Sequence, residues 1–290
     1  MKREVRICDL SILDKLLTTD VDIIGIGNEN CVHKIPDINE IKRVYQVVRD
    51  VGKKLRVIFP KVPARYFSKM LEVFKQVAQL DVLITLNDYG MIYSAKSVCP
   101  LNGFSVGRSI AFSLLSSPWF SMLVDNESSE GKNSMATSNM SSELKLQYIG
   151  SFGGNELEIE YIPEVCSELE LIKKMNYQIS AHRDACLVSV GRACSYKRQL
   201  AREGKNCSSG CDELLSLQLE KKFVSIPTRV KEKGYNGVSH YVADEEVNRI
   251  FPDLYICGNG LYRLNNEKDF VAENVDTLIY DLRFTKLEDI

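Results

Sequence analysis

A rhythm in the chain narrows its fold more than any other feature. Short apolar runs recur, and about ten to fifteen residues of helical pattern separate the earlier ones. Runs at 21–27, 54–59, 81–86, 155–162, 178–190 and 277–282 read as buried strands, and weaker ones at 5–8 and 104–107 complete a set of eight. The stretch 38–51 brings Ile41, Val44, Val47 and Val48 onto one helical face, and 63–79 does the same for Phe67, Met70, Leu71, Phe74 and Val77. Strands alternating with amphipathic helices form βαβ units and a parallel sheet. Eight of them predict an α/β fold, a (β/α) TIM-like barrel forming a single domain over 1–290, for which 290 residues is an ordinary length.

Two segments break the rhythm. The stretch 126–142 is rich in Ser, Asn, Gly and Met and reads as a mobile surface loop. The stretch 222–265 carries short strand patterns at 223–227, 239–242 and 254–259, with Glu232-Lys233-Gly234-Tyr235-Asn236-Gly237 as a turn. It predicts a small β-rich insertion before the last barrel strand.

The chain is 44% hydrophobic and 26% charged, which suits a globular protein with a core. Its 37 basic and 39 acidic residues nearly cancel, so charge supplies no footprint for bulk nucleic-acid binding. The first residues lack an apolar signal core. The most apolar long stretch, 110–124, is interrupted by four serines and Pro118 and is too short to span a bilayer. A cytoplasmic location follows as the expectation.

Nine cysteines in such a chain call for a reason. In a reducing compartment a disulfide framework is disfavoured, which leaves core packing or metal binding. Cys207 and Cys211 have three residues between them in a Ser/Gly loop, and Cys194 follows the strand run 178–190. Cys31 follows the run 21–27. Barrel chemistry collects where strands end, so these four thiolates could converge at the C-terminal mouth. Four thiolates suit either a [4Fe–4S] cluster or a structural Zn²⁺ ion. Lys197, Arg198, Arg202 and Lys205, between the candidate ligands, would favour thiolate; otherwise they form a solvated face. Cys8, Cys99, Cys166, Cys186 and Cys257 read as core or incidental, with Cys8 and Cys186 in reserve as ligands. His33 reads as a surface-loop histidine, with a contact to the metal centre as its alternative. His182 reads as a structural strand histidine and His240 carries no assigned role.

The order of motifs resembles the U32 peptidase-like family. A Gly-x-Glu-x-Cys loop (Gly27 to Cys31) follows an early strand, and Asp88-Tyr89-Gly90 comes next. Then come Ile162-Pro163-Glu164, Gly191-Arg192-Ala193-Cys194 with its cysteine-rich loop, and Ile279-Tyr280-Asp281-Leu282-Arg283. The cysteine pattern is similar to the UbiV/UbiU-type iron–sulfur branch, which implies a [4Fe–4S] cluster held by Cys31, Cys194, Cys207 and Cys211. The 126–142 stretch and the Gly107-Arg108 pair depart from that branch. The resemblance implies oxygen-independent hydroxylation with prephenate as oxygen donor, a small-molecule substrate, and a second U32-family subunit as partner. It puts Glu164, Asp281 and Arg283 at the barrel mouth. There Arg283 would grip a substrate carboxylate, and Asp281 or Glu164 would act as acid–base group if burial raised its pKa. A structural ion pair is the plainer role for each.

Three other readings stay open. A U32-type peptidase would be a hydrolase, although the chain has no Gly-x-Ser-x-Gly elbow and no His-Glu-x-x-His motif. Cys31 and His33 are too close in sequence to read as a catalytic pair. A non-catalytic binding subunit and a structural zinc site are the other two.

Overall fold

The computed structural model describes residues 1–113, 127–161, 166–191, 194, 211, 214–217, 253–265 and 273–290. Eight parallel strands close into a barrel. They are β1 (Lys2–Ile7), β2 (Ile23–Gly27), β3 (Lys54–Phe59), β4 (Leu83–Leu86), β5 (Phe104–Val106), β6 (Gly154–Glu160), β7 (Gln178–His182) and, from the far end of the chain, Thr277–Asp281. That last strand lies between β7 and β1, pairing Thr277 with Ser180 on one side and Lys2 on the other. The expected eight-stranded barrel is present. Four further strands, β8 (Ala185–Val190), β9 (Leu215–Leu217), β10 (Leu254–Cys257) and β11 (Gly260–Leu264), form an antiparallel sheet in the order β8-β11-β10-β9, so the closing strand is β12.

The helices form for the reasons their sequence suggests. Ile38–Asp50 buries Ile41, Val44 and Val48 against the barrel, and Asp37 caps it by accepting from the amides of Asn39 and Glu40. Phe67–Val77 buries Met70, Phe74 and Val77. The Asp88-Tyr89-Gly90 motif has a structural explanation. Asp88 caps the helix Tyr89–Val98 through the amides of Gly90 (2.8 Å) and Met91 (3.2 Å), and it also accepts from the amide of Val62 (3.1 Å). Asp88→Ala should therefore cost about 1–2 kcal/mol, the loss of a cap plus a loop hydrogen bond. Urea titration measures it, and an unchanged midpoint would mean that water replaces the carboxylate at no loss.

Three sequence expectations change. The run 178–190 is not one strand. The chain leaves the barrel at Arg183-Asp184, where buried Asp184 accepts from the amide of Asp281 at 3.0 Å, and β8 joins the second sheet. Cys194 therefore follows a strand of that sheet and not of the barrel. The stretch expected as a mobile loop contains a helix, Ser129–Ala136. Its end is tied back to the chain after β5, because Asn139 donates to the carbonyl of Ile110 (2.8 Å) and accepts from the amide of Phe112 (3.1 Å). The second sheet takes β10 and β11 from the 222–265 insertion, but it recruits β8 and β9 from before it; the expected strands at 223–227 and 239–242 lie outside the described residues.

The barrel interior is the largest surprise. Barrels of this kind usually fill their centre with layers of branched apolar side chains. Here Glu4, Arg6, Arg56, Thr85, Glu156, Glu158, Ser180 and His182 are all buried, and contacts across the barrel join them. Along β6, Glu156, Glu158 and Glu160 point inward, while Leu157 and Ile159 join the hydrophobic core between strands and helices. Glycine at 25 makes room for this arrangement, since a Cβ there would lie 2.9 Å from Cγ of Arg6 and 3.1 Å from Oε1 of Glu4.

Candidate functional site

Two tiers of charge occupy the barrel. In the lower tier, Glu4 accepts from Nε of both Arg6 and Arg56, each at 2.7 Å. Arg56 reaches across the barrel to Glu156 (2.8 Å). Arg6 grips Glu158 with both terminal nitrogens, at 3.0 and 2.5 Å. Thr85 and Nε2 of His182 complete the shell of Glu158, at 2.5 and 3.0 Å. Burial pushes the Glu158 carboxyl up, but Arg6 and His182 outweigh it and hold the group well below the usual carboxylate range. Burial, reinforced by Arg108, lowers His182, so the ring is neutral at pH 7 and donates its Nε2–H to Glu158.

The upper tier sits where the strands end, and Glu29, two residues beyond β2, is its centre. Arg108, two residues beyond β5, donates to both Glu29 oxygens at 2.8 Å. Arg108 also reaches Glu160 (3.1 Å) and the carbonyl of Ala185. Arg283 donates to Glu29 (3.2 Å), and the Tyr262 hydroxyl donates to the same oxygen (2.9 Å). Both guanidiniums lie over the Tyr262 ring, at 5.6 and 5.3 Å from its centroid. Burial opposes ionisation of Glu29, but the guanidinium of Arg108 prevails and the carboxyl stays ionised. Tyr262 belongs to β11, so the second sheet supplies a member of the mouth.

Arg6, Cys8, Gly27, Asn28, Glu29, Ile58, Asp281 and Arg283 line a small cleft at this end. Asp281 and Arg283 thus meet at the mouth, as the ion pair that was the plainer of their two expected roles. Arg283 chelates Asp281 through Nε (2.9 Å) and Nη2 (2.5 Å) and also donates to Tyr262 (3.1 Å). Most of its N–H groups are engaged within the protein, so it orients Asp281 and Glu29 more readily than it grips a ligand. An acid–base role for Asp281 required burial to raise its pKa, and the shift runs the other way. Burial raises it, but Arg283 more than compensates, and the carboxyl lies below its usual value. Glu164 lies outside the described residues.

Of the four candidate cysteine ligands, Cys31 and Cys194 are partly buried and Cys211 is buried. Cys207, His240 and the basic residues at 197, 198, 202 and 205 lie outside the described residues. Among the described residues, no group of three or more His, Cys, Asp or Glu side chains is arranged to hold a metal ion. The segments that carry three of the cysteines nevertheless meet at one turn. Between β10 and β11, Nδ2 of Asn259 donates to the carbonyls of Asn30 (2.9 Å) and Gly191 (3.2 Å), and Sγ of Cys257 donates to the carbonyl of Cys211 (3.3 Å). Cys8, expected in the core or as a reserve ligand, lines the cleft, with its sulfur 3.5 Å from the Gly27 carbonyl. Burial pushes the other reserve candidate, Cys186, up to about 12, which disfavours a thiolate ligand. His33 is exposed and packs edge-on against Tyr66, 5.3 Å between ring centroids.

Tyr262, Asn30 and Asn259 were not singled out in the sequence, and Arg108 was noted only in the Gly107-Arg108 pair, without a site role. Arg108 had a signal in its place just past a strand run, as the fold's chemistry demands. Tyr262 and Asn259 had none, because nothing local tells which residues of the second sheet turn toward the barrel.

No helix among the described residues is long and apolar enough to cross a membrane. No family model matches the chain, and no curated protein matches it. Solved structures do. A U32 peptidase is similar over 97% of this chain and 92% of its own, at 10% identity and a TM-score of 0.37. D-psicose 3-epimerase from Clostridium cellulolyticum H10 is similar over 73% of this chain and 93% of its own, at 15% identity and a TM-score of 0.36. An HpcH/HpaI aldolase from Desulfitobacterium hafniense DCB-2 is similar over 69% of this chain and 82% of its own, at 10% identity and a TM-score of 0.33.

Proposed function

We propose that this chain is an iron–sulfur protein of the U32 type, holding a [4Fe–4S] cluster through Cys31, Cys194, Cys207 and Cys211. It would serve oxygen-independent hydroxylation of a small molecule in the cytoplasm, as the hydroxylase or as one subunit paired with a second U32-family chain. One observation carries the reading. The segments bearing Cys31, Cys194 and Cys211 are drawn to a single turn of the second sheet, beside the end of the barrel where chemistry collects. The donor chemistry suits the group: sulfur ligands are those of iron–sulfur clusters, and Cys31 and Cys194 are partly buried and Cys211 is buried. When bound, the cluster would supply one-electron chemistry.

The chain's own residues prepare the neighbouring cleft. Glu29 and Asp281 are held ionised, so near neutral pH they accept hydrogen bonds and carry negative charge but have no proton to donate. Arg283 and Arg108 keep these carboxylates in place, and neutral His182 keeps Glu158 oriented below them.

Anaerobic purification tests the reading, with an absorption spectrum and iron and sulfide counts for the native chain and for Cys31→Ala and Cys207→Ala. The expected result is a brown protein with about four irons per chain, lost in both variants. A colourless protein with about one Zn²⁺ would replace the redox reading with a structural site. A protein that binds neither metal after reconstitution overturns the proposal.

A further inference from the structure

The turn that gathers the cysteine segments has only two residues, Gly258 and Asn259, between paired Cys257 and Gly260. Its contacts fall on particular atoms. The carbonyl of Asn30 and the amide of Cys31 belong to the same peptide group. Asn259 donates to that carbonyl at 2.9 Å, and Oδ1 of Asn28 accepts from that amide at 2.9 Å. The peptide plane leading into Cys31 is therefore held at both polar ends. Gly191, three residues before Cys194, is also held twice: its carbonyl accepts from the Asn259 side chain (3.2 Å), and its amide donates to the Asn259 carbonyl (2.8 Å). Cys211 is approached from the other end of the turn. Its carbonyl accepts from Cys257 at 3.3 Å, and its sulfur lies 3.9 Å from where a Cβ on residue 258 would stand. Residue 258 has φ +61°, which glycine adopts without strain.

We infer that the turn between β10 and β11 is the clamp that sets the spacing of the cysteine centre, with Asn259 as its positioning residue. The inference rests on the proposed four-cysteine reading and adds what holds the ligands in register. Among uncharged side chains only an amide carries two N–H donors, and both are used here to tie the Cys31 loop to the segment before Cys194. Asn259 touches no reacting atom. It acts through the backbone of the ligand loops, as outer-shell residues of metal centres do.

The test compares the native protein with Asn259→Ala and Asn259→Asp, all purified anaerobically. Asn155→Ala is the control, since Asn155, at the start of β6, makes the same kind of bond to the carbonyl of Asn102 (2.9 Å), just before β5. The readouts are iron and sulfide per chain, the rate of iron loss to a chelator, the electron paramagnetic resonance spectrum of the reduced cluster, and circular dichroism. Both Asn259 variants should keep the native dichroism, lose iron about 10-fold faster and show an altered resonance line shape. Asn155→Ala should match the native protein in all four. If Asn259→Ala does not fold, Asn259→Asp decides, because it keeps the size and replaces the donor with an acceptor. A native protein with a full cluster, alongside Asn259 variants with native iron retention and line shape, overturns the clamp and leaves the cluster standing. A native protein without any cluster overturns both.

Discussion

Replacing Arg56 by methionine should destabilise the protein by about 3–5 kcal/mol, the usual loss when one partner of a buried ion pair is removed. Arg56 is 1% exposed and bonds to Glu4, Glu156 and Thr85 in the middle of the barrel. Its removal leaves the Glu156 carboxylate with Ser180 as its remaining side-chain partner among the described residues, and leaves Glu4 with Arg6. A carboxylate stranded there either stays charged in a poor solvent or takes up a proton, and both cost stability. The loss is a large share of the roughly 5–15 kcal/mol that holds a typical domain together. Urea unfolding should show a lower midpoint with an unchanged slope. The double variant Arg56→Met, Glu156→Leu should recover part of the loss, because removing both partners strands no charge. A single variant within about 1 kcal/mol of native would mean that water reaches the barrel centre and the network is not dry.

Stability should also fall steeply with acid, and the direction follows from the same groups. Glu29, Glu158 and Asp281 have folded pKa values below their ordinary 4.5, 4.5 and 3.8, and His182 lies below its ordinary 6.5. For each, the unfolded chain takes up a proton at a higher pH than the folded one. Their stabilisation is present above the unfolded pKa and is lost as pH falls toward the folded value. His182 begins the loss below about pH 6.5 and the carboxylates deepen it below about pH 4.5. At the alkaline end the sign reverses. Burial pushes Cys186 up to about 12 from 9.0 and Tyr177 up to about 12 from 10.0. Their contribution is present below the unfolded pKa and is lost as pH rises past it. Urea midpoints across the pH range should therefore form a plateau from about pH 7 to pH 9. The variant His182→Gln should remove the first acid step and leave the carboxylate step. A midpoint flat down to about pH 4 would contradict the buried network.

The amino-acid sequence by itself determined the order of the barrel strands, the apolar faces of the helices and the positions of Cys31, Asp281 and Arg283 just past or at strand ends. These are local properties. A period of two or of about 3.6 residues is written in neighbouring side chains, and the ends of a strand follow from where its pattern stops. Tertiary structure decided the rest. Gly154–Glu160 alternates acid and apolar residues, but nothing in it says that the acids turn into the barrel and the leucine and isoleucine turn out. That choice depends on arginines about 100 and 152 residues away, Arg56 and Arg6, which barrel closure delivers opposite them. The break at Arg183-Asp184 was hidden because strand-forming residues continue on both sides of it, and only the pairings show that β7 lies beside β12 in the barrel while β8 lies beside β11 in the second sheet. Tyr262 and Asn259 reach the mouth because the second sheet packs over it, a placement no local pattern encodes. Patterning selects the fold, whereas the pairing of buried charges is settled only when distant strands share one enclosed space, where an unpaired charge is too costly to keep.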